Sequence, residues 1–408
     1  MSTEMPPIKR SDAAPGILCA GVIGLDEVFR VEEFPRPDGK VQANGFFVVN
    51  GGCAANAAVA IARLGGRALL AGPIGEDDNG DRVLRAVKRE HVDCTFCQRI
   101  PGLATALSTI FMNTRGDRTI VTYCDKRIAA TRPTDADAAV AVAKVLLADN
   151  CFPDFVQPIC AAARRRRLPV LLGGDRRTVE NDPLFRLATH VIFSSECLRE
   201  TTGTADLAQG LKRIACNTDA FIAVTNGPDD ILYLESHAVR RLPVFSIAAV
   251  DTLGAGDAFN GGFALALAEG QSEVEAMCFG AAVAGIKCTR LGGSAGTPRR
   301  SEVMAFIDKN RLPAAAVVPP LLISPLFRGV QDYGSPLPAT VVGRRHPRGA
   351  RRWHTSISRN EPGRRSAAKL LMRDKARIAV NVARPGDSSL LKYNQPPSPG
   401  SSPCSARA

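Results

Sequence analysis

The chain has 408 residues, 45% of them apolar and 23% charged, enough for one large domain or two ordinary ones with a sizeable core. No apolar run reaches the roughly eighteen residues of a membrane span, and 1–15 is polar, without the apolar stretch of a secretory signal. The chain is therefore expected in the cytoplasm, with its twelve cysteines as reduced thiols. The net charge of +12 is unevenly spread: residues 1–312 hold 36 basic and 36 acidic residues, and 313–408 hold 16 and 4. A neutral body and a basic tail need separate readings.

In chain order, 1–15 reads as a disordered N-terminus. Apolar runs at 17–23, 68–72, 145–148, 170–172, 191–193 and 221–224 read as buried strands. Helical patterns at 54–64, 79–90, 135–145, 153–166, 206–216 and 258–268 fall between or after them. Continuous apolar strands separated by helices predict an α/β domain with a mostly parallel sheet covered on both faces. Two regions, 27–49 and 104–124, alternate more openly and carry turn signals such as Pro37-Asp38-Gly39 and Arg115-Gly116-Asp117. They predict antiparallel hairpins that pair into a small sheet, a lid over a cleft. From 313 to 408 the chain is rich in Arg, Pro and Ser, a disordered composition apart from a basic helical pattern at 367–382.

The most informative stretch is Asp251-Thr252-Leu253-Gly254-Ala255-Gly256-Asp257, where an apolar segment at 247–250 gives way to a helix. Glycines let backbone amides approach an anion, and a helix N-terminus favours negative charge. An acid there repels that anion unless it accepts a proton from the group attacking it, which is the logic of phosphoryl transfer. A dinucleotide fingerprint would need glycine where Phe259 stands, and no G-x-x-x-x-G-K-[ST] loop occurs. A second motif, Gly51-Gly52-Cys53-Ala54-Ala55-Asn56, opens an Ala-rich helix that stops at Gly65. Its alanines read as core, whereas bare amides and a carboxamide at the entrance can bind sugar hydroxyls.

Together these segments resemble the two signatures of the ribokinase-like (PfkB) family of carbohydrate kinases, in the right order. The likeness runs from about 17 to 307 and includes Gly21-Val-Ile-Gly-Leu-Asp26, Gly72-Pro-Ile-Gly-Glu-Asp77-Asp78-Asn-Gly80 and Ala223-Val-Thr225-Asn-Gly227. It implies a ribokinase-like three-layer α/β/α domain over 16–312 with a β-sheet lid. The resemblance also implies roles: Asp257 as catalytic base, Gly254, Ala255 and Gly256 as anion hole, Asp26, Gly51, Gly52 and Asn56 on the sugar, and Thr225 and Gly227 on the nucleotide. Residues 281–293 would flank the adenine, and Asp251 would help hold a monovalent cation such as K⁺. ATP and Mg²⁺ are implied as phosphoryl donor and its counter-ion, a sugar as acceptor, and a homodimer through the lid as one use of the exposed sheet.

Within the family, Ala57-Ala58-Val59-Ala60 and Lys287-Cys288-Thr289-Arg290-Leu291-Gly292-Gly293 are most similar to the sulfofructose-kinase-like branch. The chain departs from that branch after Leu147-Ala148-Asp149, where Asn150-Cys151-Phe152 replaces a basic residue and Thr122 stands at the lid, so an anionic head group lacks its partner. Arg118, Lys126 and Arg127 are the lid cations left. A further departure is Ser194-Ser195-Glu196-Cys197 in place of the family's N-x-x-E, which leaves the Mg²⁺ contacts open. Cys94 and Cys97 have C-x-x-C spacing without a second pair and read as thiols. The tail has no aromatic-interleaved module, which argues against nucleic acid and leaves a disordered interaction tail or an altered reading frame or missed stop. Two rivals to a sugar kinase stay open: a nucleoside kinase of the same family, with Phe46, Phe47 and Phe111 as stacking surface, and a catalytically weak sugar- or nucleotide-sensing protein.

Overall fold

A computed structural model describes residues 15–113 and 117–310. The chain divides into units 1–329 and 330–408, and all described residues lie in the first. The expectations for the N-terminus before 15 and for the basic tail fall outside the described residues.

The strands are β1 (Gly16–Ala20), β2 (Gly24–Arg30), β3 (Gly45–Gly51), β4 (Arg67–Gly75), β5 (Asp93–Ile100), β6 (Ala106–Met112), β7 (Arg118–Tyr123), β8 (Val145–Asp149), β9 (Val170–Gly174), β10 (His190–Ser194), β11 (Phe221–Asn226), β12 (Asp229–Glu235) and β13 (Ala238–Leu242). The helices are α1 (Cys53–Arg63), α2 (Asp78–Arg89), α3 (Lys126–Ala129), α4 (Ala136–Ala141), α5 (Pro153–Arg165), α6 (Pro183–Leu187), α7 (Ser195–Thr202), α8 (Leu207–Ala215), α9 (Ala255–Ala268), α10 (Glu273–Cys288) and α11 (Arg300–Lys309).

The main sheet runs β13-β12-β11-β10-β9-β8-β1-β4-β5. It is parallel from β10–β11 across to β4–β5, and β12 and β13 add an antiparallel edge. Alternation along β1 divides the core: Ile17 and Cys19 join α1, α2, α9 and α10, while Leu18 and Ala20 join α4 to α8 on the other face. These are the three layers expected. Each fully buried Phe or Leu contributes roughly 1.5–3 kcal/mol relative to exposure.

Apart from Asn56 and the terminal Arg63, helix α1 is made of small and apolar residues, as suits a helix buried throughout 54–62. Its alanines let α9 approach closely: a Cβ on Gly261 would lie 2.9 Å from both the Ala57 carbonyl oxygen and Ala60 Cβ. That close crossing brings the N-terminal ends of α1 and α9 together.

The lid is the four-stranded sheet β3-β2-β6-β7. Its two hairpins are antiparallel, as expected, but they join through a parallel pairing of β2 with β6, so the sheet is mixed. Asp77 anchors it to the body by capping α2 through Gly80 N at 2.8 Å and accepting from Thr105 N at 2.9 Å and Thr105 Oγ1 at 2.5 Å. Partial burial pushes the Asp77 carboxyl up, and these hydrogen bonds overcome it and hold the group below its ordinary range. Val28, Ile110 and Met112 on the lid bury against Leu253, seating it over the glycine loop.

Other differences from the sequence reading have local causes. The strand expected over 17–23 ends at Ala20, and Gly21, at φ 145°, turns the chain before β2. The helix expected over 135–145 stops at Ala141, and Val145 begins β8. The apolar segment 247–250 has no regular structure; Val250 and Asp251 instead donate to the Cys288 carbonyl at 2.7 and 3.1 Å. Helix α9 begins at Ala255, three residues early, so Asp257 sits in its first turn.

Candidate active site

In an open α/β sheet, ligands bind beyond the carboxyl ends of the strands where the strand order reverses. Here that point is β1, with β4 on one side and β8 on the other. A cavity of about 1360 Å³ opens there, lined by Asp26, Gly52, Asn56, Ser108, Arg118, Thr122, Asp175, Glu196, Glu200 and Gly254 to Asp257, among others. Single-ligand pockets are typically about 300–1,000 Å³, so there is room for two substrates.

The lid side carries the expected sugar residues. Asp26, 7% exposed, pairs in register with Ser108, which pairs with Thr122, so a carboxylate and two hydroxyls form a row across β2, β6 and β7. Burial pushes the Asp26 carboxyl up to about 6, opposed by a hydrogen bond from Ser108. Gly52 lines the cavity at φ 89°, and a Cβ there would lie 2.4 Å from the Val22 carbonyl oxygen. Gly51 does not line it; it is buried behind Asp26, where a Cβ would fall 2.2 Å from Oδ1. Gly51 thus makes room for the Asp26 carboxylate.

Asn56 links the two halves. Ser294 Oγ lies 3.1 Å from Asn50 Oδ1, Asn50 Nδ2 donates to Asn56 Oδ1 at 3.0 Å, and Asn56 Nδ2 donates to Asp257 Oδ2 at 2.9 Å. The three side chains feeding Asp257 are buried, which fixes the Asn56 amide with its NH₂ toward the acid. Sequence reasoning identified Asn56 and Asp257 but missed Asn50 and Ser294, whose contact joins segments 244 positions apart.

The Asp257 carboxyl is pushed up to about 7. Burial is the largest cause, and the nearby carboxylates Asp175 and Asp149 add to it; hydrogen bonds from Asn56 and Cys53 oppose it. Asp149, buried at the end of β8, is itself raised to about 6 by burial although Val22 N and Cys151 N donate to it at 2.7 and 2.9 Å. A second cavity, about 40 Å³, lies under these groups and is lined by Cys53, Asp149, Asp175, Thr225, Gly256, Asp257 and Asn260. Asp175 and Cys53 escaped the sequence reading; Gly173-Gly174-Asp175 looks like an ordinary turn, and Cys53 Sγ reaches Asp175 Oδ2 at 3.7 Å.

The expected anion hole is the first turn of α9. Gly254 is its N-cap at φ 72°. The Ala255 N–H closes the turn onto the Thr252 carbonyl at 3.2 Å, a difference from the expectation that all three amides face the anion. The second and third amides, Gly256 and Asp257, have no carbonyl four residues back within the helix, and both residues line the large cavity. Arg118 reaches down from β7 to Thr252 Oγ1 at the edge of this loop.

On the nucleotide side, Thr225 is the next-to-last residue of β11 and its hydroxyl donates to the Phe193 carbonyl at 3.4 Å. Gly227, at φ 60°, forms the exposed β11–β12 turn and lines neither cavity. Ser194 caps α7 by accepting from Cys197 N at 3.2 Å, so the altered N-x-x-E segment keeps a helix start. Glu196 and Glu200, one turn apart on α7, both line the large cavity. Asn150, at the position of the missing basic residue, is buried: its Oδ1 accepts from Asp175 N at 3.1 Å and Arg176 N at 3.0 Å, so it shapes the 175–176 loop.

Asp251, expected beside a monovalent cation, is fully buried with its acceptors already engaged. Oδ1 accepts from Leu253 N at 2.8 Å, Oδ2 accepts from Gly292 N and Gly293 N at 3.0 Å each, and its carbonyl accepts from Lys287 Nζ at 2.7 Å. Among the described residues every cysteine is a free thiol, Cys94 and Cys97 included, and no group of three His, Cys, Asp or Glu converges on a metal position. No helix among them is long and apolar enough to cross a membrane.

The sequence profile of the pfkB family of carbohydrate kinases matches residues 16–300. A ribokinase from Haemophilus influenzae is 27% identical over 296 residues, spanning 71% of this chain and 97% of that protein. An ATP-dependent ribose-1-phosphate kinase from Halopiger xanaduensis is 28% identical over 72% of this chain and 98% of its own length. The crystal structure of a candidate ribokinase from Agrobacterium tumefaciens superposes with a TM-score of 0.70 at 34% identity, covering 73% of this chain and 98% of that one. With a profile match that spans most of the chain and a fold shared with ribokinase-type structures, this protein belongs to the pfkB family of carbohydrate kinases, phosphotransferases that act on a hydroxyl group.

Proposed function

We propose that the protein transfers the γ-phosphoryl group of ATP to a hydroxyl of a neutral pentose-type sugar, with ribose the first candidate. The observation that carries this reading is the contact between Asn56, at the start of the lid-side helix, and Asp257, at the start of the anion-side helix. It sets one carboxylate between a hydroxyl-rich pocket and a helix N-terminus. The curated relatives named ribokinase and ribose-1-phosphate kinase support the pentose class. A neutral acceptor is supported by the Asp26, Ser108 and Thr122 row and by Asn150 in place of a cation, with Arg118, Lys126, Arg176 and Arg177, which also line the cavity, assigned to the phosphates of ATP.

In the proposed reaction, Asp257 accepts the proton of the attacking hydroxyl as its oxygen bonds to the γ-phosphorus and the bond to the β–γ bridging oxygen breaks, releasing ADP. The amides of Gly256 and Asp257, at the positive end of α9, stabilise the charge on the transferring group. Asp26, Gly52 and Asn56 hold the sugar, and Thr225 lies on the nucleotide side. Arg118 sits where it can meet phosphate charge as the lid closes. Mg²⁺ bound with the nucleotide would neutralise its phosphates while keeping several waters. Glu196 and Glu200 have the oxygen chemistry to hold those waters.

A nucleoside acceptor is less well supported. Phe46 and Phe111 stack around Phe29 on the lid, with ring centroids 4.8 and 5.9 Å from it, and neither they nor Phe47 line the cavity. Phe46, Val121 and Tyr123 are instead exposed, an apolar lid surface that suits pairing with a second copy; light scattering tests that dimer. A sensing role without turnover is disfavoured by the intact Asp257 and its supporting bonds. The kinase domain is proposed to be 16–312, and removal of 313–408 should leave its activity intact.

The test is a substrate panel with MgATP: ribose, 2-deoxyribose, ribose-1-phosphate, fructose, glucose and nucleosides. Ribose or another free pentose should give the highest kcat/KM. A strong preference for a phosphorylated sugar or a nucleoside would overturn the acceptor assignment.

A further inference from the structure

The resemblance to the family implies a monovalent cation at Asp251, and the residues present do not fit one. An alkali cation is held by oxygens with lone pairs to spare. Each of the three Asp251 oxygens already accepts at least one hydrogen bond: Oδ1 from Leu253 N, Oδ2 from Gly292 N and Gly293 N, and the carbonyl from the Lys287 amine. Lys287 Nζ lies 2.7 Å from the Asp251 carbonyl oxygen and 3.3 Å from Oδ1, and both residues are 0% exposed. A cation placed on the same carbonyl and carboxylate would meet the ammonium at contact distance in a poorly screened interior.

We propose that the Lys287 ammonium takes the place of the monovalent cation, giving this kinase a built-in positive charge beneath its anion loop and freeing it from K⁺. The proposal rests on the phosphoryl-transfer reading of the 254–257 loop. Its physical content is local. Asp251 immediately precedes that loop, and its carboxylate joins Leu253 on one side to Gly292 and Gly293 on the other. A buried carboxylate with this many tasks needs a compensating charge, because removal of one partner of a buried pair leaves the other uncompensated. Lys287 supplies it from the last turn of α10, where a cation also suits the helix dipole. Burial pushes the Lys287 amine below its ordinary range, with Asp251 opposing that shift. Lys287 acts through the loop and is a positioning residue.

The experiment measures turnover of the full chain with its best sugar and MgATP, in buffers whose only monovalent cation is tetramethylammonium, Na⁺, K⁺ or Cs⁺. Detectable turnover in any of them upholds the kinase reading independently. Rates that agree within about twofold across the four, with an unchanged Tm, are the result expected. A tenfold or greater stimulation by K⁺ that saturates with concentration would overturn the proposal. Two variants test the converse. Lys287→Ala, which vacates the ammonium position, should lose most turnover in tetramethylammonium and regain part of it with K⁺ or NH₄⁺, with a matching rise in Tm. Lys287→Met, which fills the space without charge, should stay low in every salt. Full activity of folded Lys287→Ala in tetramethylammonium would equally overturn it. Should both variants fail to fold, the cation series on the unsubstituted protein still decides.

Discussion

Nδ2 of Asn56 lies 2.9 Å from Oδ2 of Asp257, two side chains separated by 201 positions in the sequence. The contact exists because α1 and α9 cross closely at Ala57, Ala60 and Gly261, and because Asn50 and Ser294 hold the amide in one orientation. Removing it with Asn56→Ala should lower kcat/KM about 10- to 100-fold, the range expected for a lost hydrogen bond to a charged group. Initial-rate kinetics over a sugar series checks this; a loss confined to KM would assign Asn56 to sugar binding alone.

The pH dependence follows from the same carboxylate. Asp257 works as a base only when ionised, and its pKa is raised to about 7 by burial and by Asp175 and Asp149. The kcat/KM for sugar should therefore climb with pH through about 7 and level off above it. Asp175→Asn removes a neighbouring negative charge and should move the inflection to lower pH, while Asn56→Ala removes a stabilising donor and should move it higher. Opposite shifts in pH–rate profiles check the electrostatic account; shifts in one direction would contradict it.

Gly51→Ala is expected to act on the sugar side. The added Cβ would fall 2.2 Å from Asp26 Oδ1. The carboxylate, 7% exposed and held between strands, must move. The KM for sugar should rise at least tenfold with little change in the KM for ATP.

Much of this was legible in sequence because the two motifs carry their chemistry locally. Gly254-Ala255-Gly256-Asp257 names a helix start with an acid in it, and Gly51-Gly52 with Asn56 names a tight entrance to a packed helix. What stayed hidden depends on long-range placement. Asn50 stands just before Gly51-Gly52 near the end of a lid strand and Ser294 just after Gly292-Gly293 in a short turn, but their meeting is a long-range contact that neither segment signals by itself. Lys287 stands in the sequence only as part of a stretch similar to one branch of the family, until Asp251 is found against it. The edge strand β13, Ala238–Leu242, went unseen because it is half exposed and carries Arg240 and Arg241, so it lacks the apolar run of a buried strand. Hairpin patterns signalled the lid, but the parallel seam between β2 and β6 is a tertiary pairing with no local signature.

Asp257 should also cost the fold stability. An unfolded Asp titrates at about 3.9, whereas burial in the folded protein pushes Asp257 up to about 7. The folded state binds this proton more tightly, so the group's contribution is full below the unfolded value and is lost as pH rises through the folded one. Asp257→Asn, which stays neutral, should therefore melt a few degrees above the unsubstituted protein at pH 8, with the difference shrinking toward pH 4. Paired thermal scans check the sign; a variant that melts lower at pH 8 would contradict it.

The most direct measurement is kcat for sugar phosphorylation by Asp257→Asn at saturating MgATP, in a protein whose fold is verified by circular dichroism. A general base contributes typically about 10²- to 10⁴-fold, so kcat should fall by about 10³ while the KM values stay within a few-fold. Turnover within tenfold of the unsubstituted protein would show that another group takes the proton, and the assignment of Asp257 would fail.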